Sequence, residues 1–129
     1  MANGYWGKIL RVNLSKGEIS TEKHDENWYR TYMGGACIGA YYLLKELAPG
    51  IDALDPDNII VFAPSIVTGT AASGFSRHAV ISKSPLTGRL SDSQAGGFWG
   101  PELKSAGFDA IVVKGRSESP VYLWVHDGE

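Results

Sequence analysis

The stretch Gln94 to Lys114, QAGGFWGPELKSAGFDAIVVK, runs from a glycine-rich approach into a short helix and then into a strand. Pro101 suits the first turn of a helix, where its missing N–H would have no intrahelical partner anyway, and Gly107 marks the end, so a helix is predicted over Pro101 to Ala106. Asp109 to Lys114 (DAIVVK) then reads as a strand, being an apolar β-branched run too short for a helix. Outward toward the C-terminus, the polar GRSES loop leads to Pro120 to His126 (PVYLWVH), a second predicted strand. The turn signal Asp127-Gly128-Glu129 follows it with no return strand, which predicts a fragment whose Tyr122 to Val125 edge is unpaired.

Outward toward the N-terminus, Arg77 to Lys83 (RHAVISK) alternates as a strand, Ser84 to Gly88 is turn chemistry, and Arg89 to Ser93 pairs back. Pro64 to Ser76 (PSIVTGTAASGFS) has no period and is small, polar and glycine-rich, a long loop of the kind that carries function. Asn58 to Ala63 (NIIVFA) reads as a central strand buried on both faces. Ahead of it, Ala36 to Leu47 places Ile38, Tyr41, Tyr42, Leu44 and Leu47 on one broad helical face, stopped by Pro49-Gly50. Asp25 is a plausible N-cap for a shorter helix, Glu26 to Met33, ended by Gly34-Gly35. Tyr5 to Leu14 and Glu18 to Lys23 form an opening hairpin across Ser15-Lys16-Gly17. The predicted fold is therefore α+β: a mixed or antiparallel sheet carrying two or three packed helices, with glycine-rich loops at one edge.

The chain has 129 residues, 43% of them hydrophobic, and a net charge of -2. That balance gives no basic surplus for nucleic acid or anionic lipid. No run of 18 apolar residues and no signal-peptide pattern is present, so no membrane partner is expected and the expected location is cytoplasmic. Cys37, the one cysteine, lies in ACIGAYYLL and reads as a buried thiol in a reducing compartment.

Small residues running into a helix start offer free backbone N–H groups, and glycines admit a ligand to van der Waals contact with the main chain. Gly96, Gly97 and Gly100 fit such a cradle, or equally the close packing of strand against helix. Neither G-x-G-x-x-G nor a Walker loop is present. Arg77, at a loop-to-strand junction, can fork onto a phosphate or pterin-like edge, or simply be a solvated strand-end arginine. His78 points to the opposite face and reads as a packed histidine. His24, His78, His126 and Cys37 have no zinc-like spacing, so no protein-ligated metal is predicted. Without a nucleophile elbow or a paired carboxylate, no catalytic residue is predicted either. Trp6, Phe98, Trp99 and Trp124 read first as core aromatics, with Trp99 beside the glycines the exception.

Taken in order, WGKILRVNLSKGEI, YMGGACIGAYYLLKEL, FAPSIVTGTAASGFSRHAVISKSPLTGRL and SQAGGFWGPELKSAGFDAIVVKGRSESPVYLWV resemble the N-terminal domain of the aldehyde:ferredoxin oxidoreductase family. The elements R-V-N-L-S-x-G, Val67-Thr68-Gly69-Thr70, K-S-P-L-T-G and G-G-x-x-G-x-E-L-K-x-A-G-x-D-A-I carry the resemblance together over nearly the whole chain. It implies a tungsten, or molybdenum, held by two pterins with no protein side chain needed on the metal. It also implies oxidation of aldehydes to carboxylic acids, with electrons passed through a [4Fe-4S] cluster to ferredoxin. By position, Arg77 matches a pterin-contacting arginine and Gly96 a glycine whose backbone touches the cofactor; Ala95 and Gly97 flank it. Gln94 stands where some members carry asparagine, keeping the amide. The cluster cysteines and the substrate cavity would lie in later helical domains, so this piece, the first half of a duplicated pterin-binding domain, is expected to be inactive alone, and a homo-oligomer is allowed. GGFWGPELK also resembles the catalytic subunit of tungsten-dependent benzoyl-CoA reductases. A free-standing scaffold or interaction module is the non-enzymatic alternative.

Overall fold

The computed structural model describes residues 4–128. Six strands form one mixed sheet: β1 (Lys8–Asn13), β2 (Glu18–Lys23), β3 (Ile59–Pro64), β4 (His78–Lys83), β5 (Leu90–Ala95) and β6 (Ala110–Lys114), in the spatial order β2-β1-β6-β3-β4-β5. Only β1 and β6 pair in parallel, with Ile9 opposite Ala110; the other four pairings are antiparallel. Three helices pack on the sheet: α1 (Glu26–Tyr32), α2 (Gly35–Glu46) and α3 (Trp99–Ser105). The predicted α+β class is thus the observed one.

Strand alternation divides the core in two. Ile9, Ile59, Val61, Ala79, Ile81, Ala110 and Val112 meet Ile38, Tyr42 and Leu43 of α2 on one face. Leu10, Val12 and Ile111 meet Leu103 of α3 and Phe108 on the other. Helix α2 sits low on its face because it presents Gly39 to β4. A Cβ there would lie 2.1 Å from Ile81 Cγ1. Asp25 caps α1 as its side chain predicts, accepting from Trp28 N at 2.9 Å.

Several expectations change. Met33, at φ 56°, makes the left-handed turn that ends α1. Gly34 serves a different need: it bridges to Ser65 beyond β3, so close that a Cβ would stand 2.6 Å from Pro64 O. Leu44, placed on the buried face of α2, is 86% exposed, and its neighbour Leu43 is buried instead. Cys37 is exposed, not buried, because the helix turns Ile38 and Gly39 inward. β3 is not buried throughout: Ile59, Val61, Ala63 and Pro64 are, but the α3 face covers Ile60 and Phe62 only in part. Pro120 to His126 is not a strand. β6 is already flanked by β1 and β3, so no edge is left for a hairpin partner. The segment instead lies across the α3 face, packing Val125 on the core while Tyr122 and Trp124 stay exposed.

Candidate functional site

The strand directions bring the starts of β1, β4 and β6 and the ends of β3 and β5 to one end of the sheet. All five sequence-predicted site residues gather there, where β4 begins and β5 finishes. Ala79 pairs with Gln94 and His78 with Ala95, so Arg77 and Gln94 share one face while His78 and Ala95 share the other. Arg77 Nη1 donates to Gln94 Oε1 at 3.4 Å, and Gln94 Nε2 donates to Asp92 Oδ2 at 3.3 Å. Arg77, Gln94, Ala95, Gly96 and Gly97 are all solvent-exposed. The guanidinium therefore keeps most of its donors free, and among the described residues no carboxylate pairs with it. A planar cation in that state favours a bidentate anionic or heterocyclic partner.

The three loop glycines separate by what surrounds them. Gly100 is a packing glycine, because a Cβ would lie 3.1 Å from both Ser76 O and Thr68 Cγ2. Gly97 has φ +91°, a backbone conformation that explains glycine by itself. At Gly96 neither reason holds. Its φ is ordinary and a Cβ would meet only Ser76 Oγ, at 3.5 Å. Among the described residues nothing requires glycine there, and the open space is what a ring laid against the backbone would use. A guanidinium with free donors near a stretch of uncovered main chain suits an anionic or flat heterocyclic ligand.

Behind this rim, on the α3 face, the His78 ring lies 4.5 Å from that of Trp99, which also meets Phe62 at 5.7 Å. His78 is a packed histidine, its Nδ1 buried without a partner and its pKa lowered by burial. Trp99 then forms one wall of an apolar cleft of about 550 Å³, closed by Phe62, Leu103, Leu123, Trp124 and Val125. Phe98, next to Trp99 in the chain, is 85% exposed and is not a core aromatic. His24 stands apart, between β2 and α2, with Nε2 3.0 Å from both Glu22 Oε1 and Tyr42 Oη and its ring stacked on Trp28 at 3.9 Å. His126 is exposed beside Asp127. Among the described residues no group of three or more His, Cys, Asp and Glu side chains is placed to hold a metal. No helix among them is long and apolar enough to cross a membrane.

Two features of this end of the sheet escaped the sequence reading. Lys104 and Asp109, 4% and 3% exposed, form a buried ion pair at 2.8 Å. The Asp109 carboxylate also accepts from the backbone of Trp6, Gly7 and Lys8, while Lys104 Nζ donates to Gly4 O. The signal was a lysine and an aspartate flanking the helix-stop Gly107, ahead of an apolar strand. Thr68, 1% exposed, is the second feature: its Oγ1 accepts from Ser65 N at 2.9 Å and donates to Arg77 O at 2.7 Å.

Residues 9–129 match the family model described as the N-terminal domain of aldehyde ferredoxin oxidoreductase. The chain is 48% identical over 124 residues to the tungsten-containing aldehyde ferredoxin oxidoreductase of Pyrococcus abyssi, and 45% identical over the same length to that of Thermococcus kodakarensis. Each alignment covers 96% of this chain and 20% of the relative. A Pyrococcus furiosus protein named as the WOR-like subunit of an aliphatic sulfonate oxidoreductase is 32% identical, over 95% of this chain and 20% of its own length. Among solved structures, the active-site complex BamBC of benzoyl coenzyme A reductase, bound to 1,5-dienoyl-CoA, superposes with a TM-score of 0.94. That match has 35% identity and covers 98% of this chain and 19% of the other. The chain thus spans about a fifth of the length of the relatives it matches.

Proposed function

The chain belongs to the aldehyde ferredoxin oxidoreductase family, and from that premise we propose that it furnishes part of the pterin cradle of a tungsten- or molybdenum-dependent oxidoreductase. The observation that carries the reading is the pairing of an unneutralised Arg77, held 3.4 Å from Gln94, with a Gly96 whose missing side chain leaves open space. In this reading Arg77 forks onto a phosphate or a pterin edge, Gln94 orients the guanidinium and offers its own amide, and Ala95 to Gly97 give the ring a bare backbone to lie against. The bound metal and its pterins supply the two-electron redox chemistry.

The proposed reaction of the full-length protein takes an aldehyde and water to a carboxylic acid, releasing two protons and two electrons. The electrons leave through a [4Fe-4S] cluster to ferredoxin in the cytoplasm. The cluster ligands and the substrate cavity are assigned to the four fifths of the relatives that this chain does not match. A second reading has a specific observation behind it: the close superposition on a benzoyl coenzyme A reductase complex supports reduction of an aryl-CoA thioester.

The test is metal and pterin analysis of the full-length protein, wild type beside Arg77→Ala. About two pterins per tungsten or molybdenum in the wild type, falling in the variant, is the expected result. Neither metal nor pterin in the wild type would sink the reading in favour of a scaffold. Assays with aldehydes against aryl-CoA thioesters then divide the two enzymatic readings. The 129-residue chain alone is expected to reduce no dye when given aldehyde.

A further inference from the structure

Among the described residues the Arg77 side chain makes a single hydrogen bond, of 3.4 Å, too weak to fix a long flexible cation. Its position must come from the backbone below it, and that backbone is pinned by one buried hydroxyl. Thr68 Oγ1 accepts from Ser65 N, just past β3, and donates to Arg77 O, just before β4. The two ends of the loop 65–77 are thereby held to the same atom. Thr68 N also donates to Ser65 O at 3.1 Å, and Gly69 N closes the loop onto Phe75 O at 2.9 Å. The Thr68 methyl faces the first turn of α3, 3.1 Å from where a Cβ on Gly100 would stand. One side chain therefore touches all three segments that shape the rim: the end of β3, the start of β4 and the glycine-rich entry to α3.

We propose that Thr68 is the positioning residue for Arg77, its hydroxyl fixing the Arg77 backbone so that the guanidinium meets Gln94 and its methyl setting the distance to α3. The proposal rests on the reading of Arg77 as a cofactor contact. The hydroxyl carries the larger share of this role and the methyl the smaller, which accounts for threonine at this position. Valine keeps the methyl and loses the hydroxyl, leaving the Ser65 N–H and the Arg77 carbonyl without their shared partner. Serine keeps the hydroxyl and loses the methyl. A displacement of Arg77 by an ångström is enough to spoil a bidentate contact.

The experiment measures tungsten or molybdenum and pterin per polypeptide in the full-length protein. The versions compared are wild type, Thr68→Val, Thr68→Ser, Arg77→Ala and the double variant Thr68→Val/Arg77→Ala. Arg77→Ala is expected to lower the pterin content. Thr68→Val is expected to lower it about tenfold, the size of one lost hydrogen bond made through Arg77, and Thr68→Ser to restore most of it. The double variant is expected to hold as much pterin as Arg77→Ala alone, because Thr68 acts only through that side chain. A merely structural threonine would give losses that multiply instead. If Arg77→Ala keeps the wild-type content, the cofactor reading of Arg77 falls and this proposal with it. If Arg77→Ala loses pterin while Thr68→Val keeps it, or if the two losses multiply, the positioning role is overturned and the cofactor reading stands. If Thr68→Val does not accumulate as soluble protein, Thr68→Ala is read by the same criteria.

Discussion

Two charged side chains lie at the same end of the sheet and could hardly be treated more differently. Asp109 is buried at the start of β6, where its carboxylate takes the Lys104 ammonium and the backbone N–H groups of Trp6, Gly7 and Lys8. Arg77, before β4, stands in solvent with one side-chain amide beside it. The first site is complete within the chain, so its residues are explained by the fold. The second is incomplete, and incompleteness in a charged, glycine-lined rim is what a binding surface looks like before its ligand arrives. Helix α3 links them: Gly100 packs under the rim and Lys104, one turn on, anchors the clamp.

The largest test of that contrast is Asp109→Ala. Removing the carboxylate leaves Lys104 buried without a counter-charge and three backbone donors without an acceptor, a loss of about 3–5 kcal/mol. Urea or thermal unfolding reads it directly, and a loss below about 1 kcal/mol would mean that the pair is open to solvent and the contrast false.

Glycines give the next comparison. Gly39→Ala drives a Cβ into Ile81, which has no room to retreat between α2 and β4, and the overpacking is expected to cost about 1–3 kcal/mol. Gly96→Ala adds the same methyl to open space, so its stability should stay within about 0.5 kcal/mol of wild type. Equal losses from both would show that Gly96 too is a packing glycine. Arg77→Ala belongs with Gly96→Ala, because an exposed cation with one weak contact contributes under about 0.5 kcal/mol. A larger effect would make Arg77 a structural residue and remove the main support for the rim as a site.

What the sequence made legible follows from the range over which each signal acts. The helices, all six strands and the Asp25 cap depend on period and neighbouring turn residues, which a short window contains. Arg77 and the Gln94–Gly97 loop stand out because a resemblance spanning nearly the whole chain supplies their roles; spacing alone leaves them open. The misses needed knowledge of distant partners. Pro120 to His126 has strand composition, but β6 has no free edge to offer it. Leu43 and Leu44 differ by one helical step, and only the placement of α2 over Ile59 and Ile81 decides which is buried. The roles of Lys104 and Thr68 depend on atoms as far away in sequence as Gly4 and Arg77.

The smallest expected effect concerns the histidines on the two sides of the contrast. His24 is enclosed by Trp28, Tyr41 and Tyr42, with Glu22 and Asp25 favouring its charged form and Lys45 opposing it; burial outweighs the carboxylates and lowers its pKa. His78, behind the rim, is lowered by burial alone. In both cases the folded state binds its proton less readily than the unfolded chain does. The stability each contributes is therefore complete above the ordinary histidine value of 6.5 and is lost as the pH falls through the window below it. Unfolding midpoints measured from neutral pH down to about pH 5 should decline, and the decline should lessen in His78→Phe, which keeps a flat ring beside Trp99 and cannot take a proton. His24→Phe is a poorer mimic, since it also discards the contacts to Glu22 and Tyr42, so its stability should drop at every pH while its slope lessens. If His78→Phe leaves the slope unchanged, the ring behind the rim is already wet, and the line between a closed core and an open rim must be drawn closer to α3.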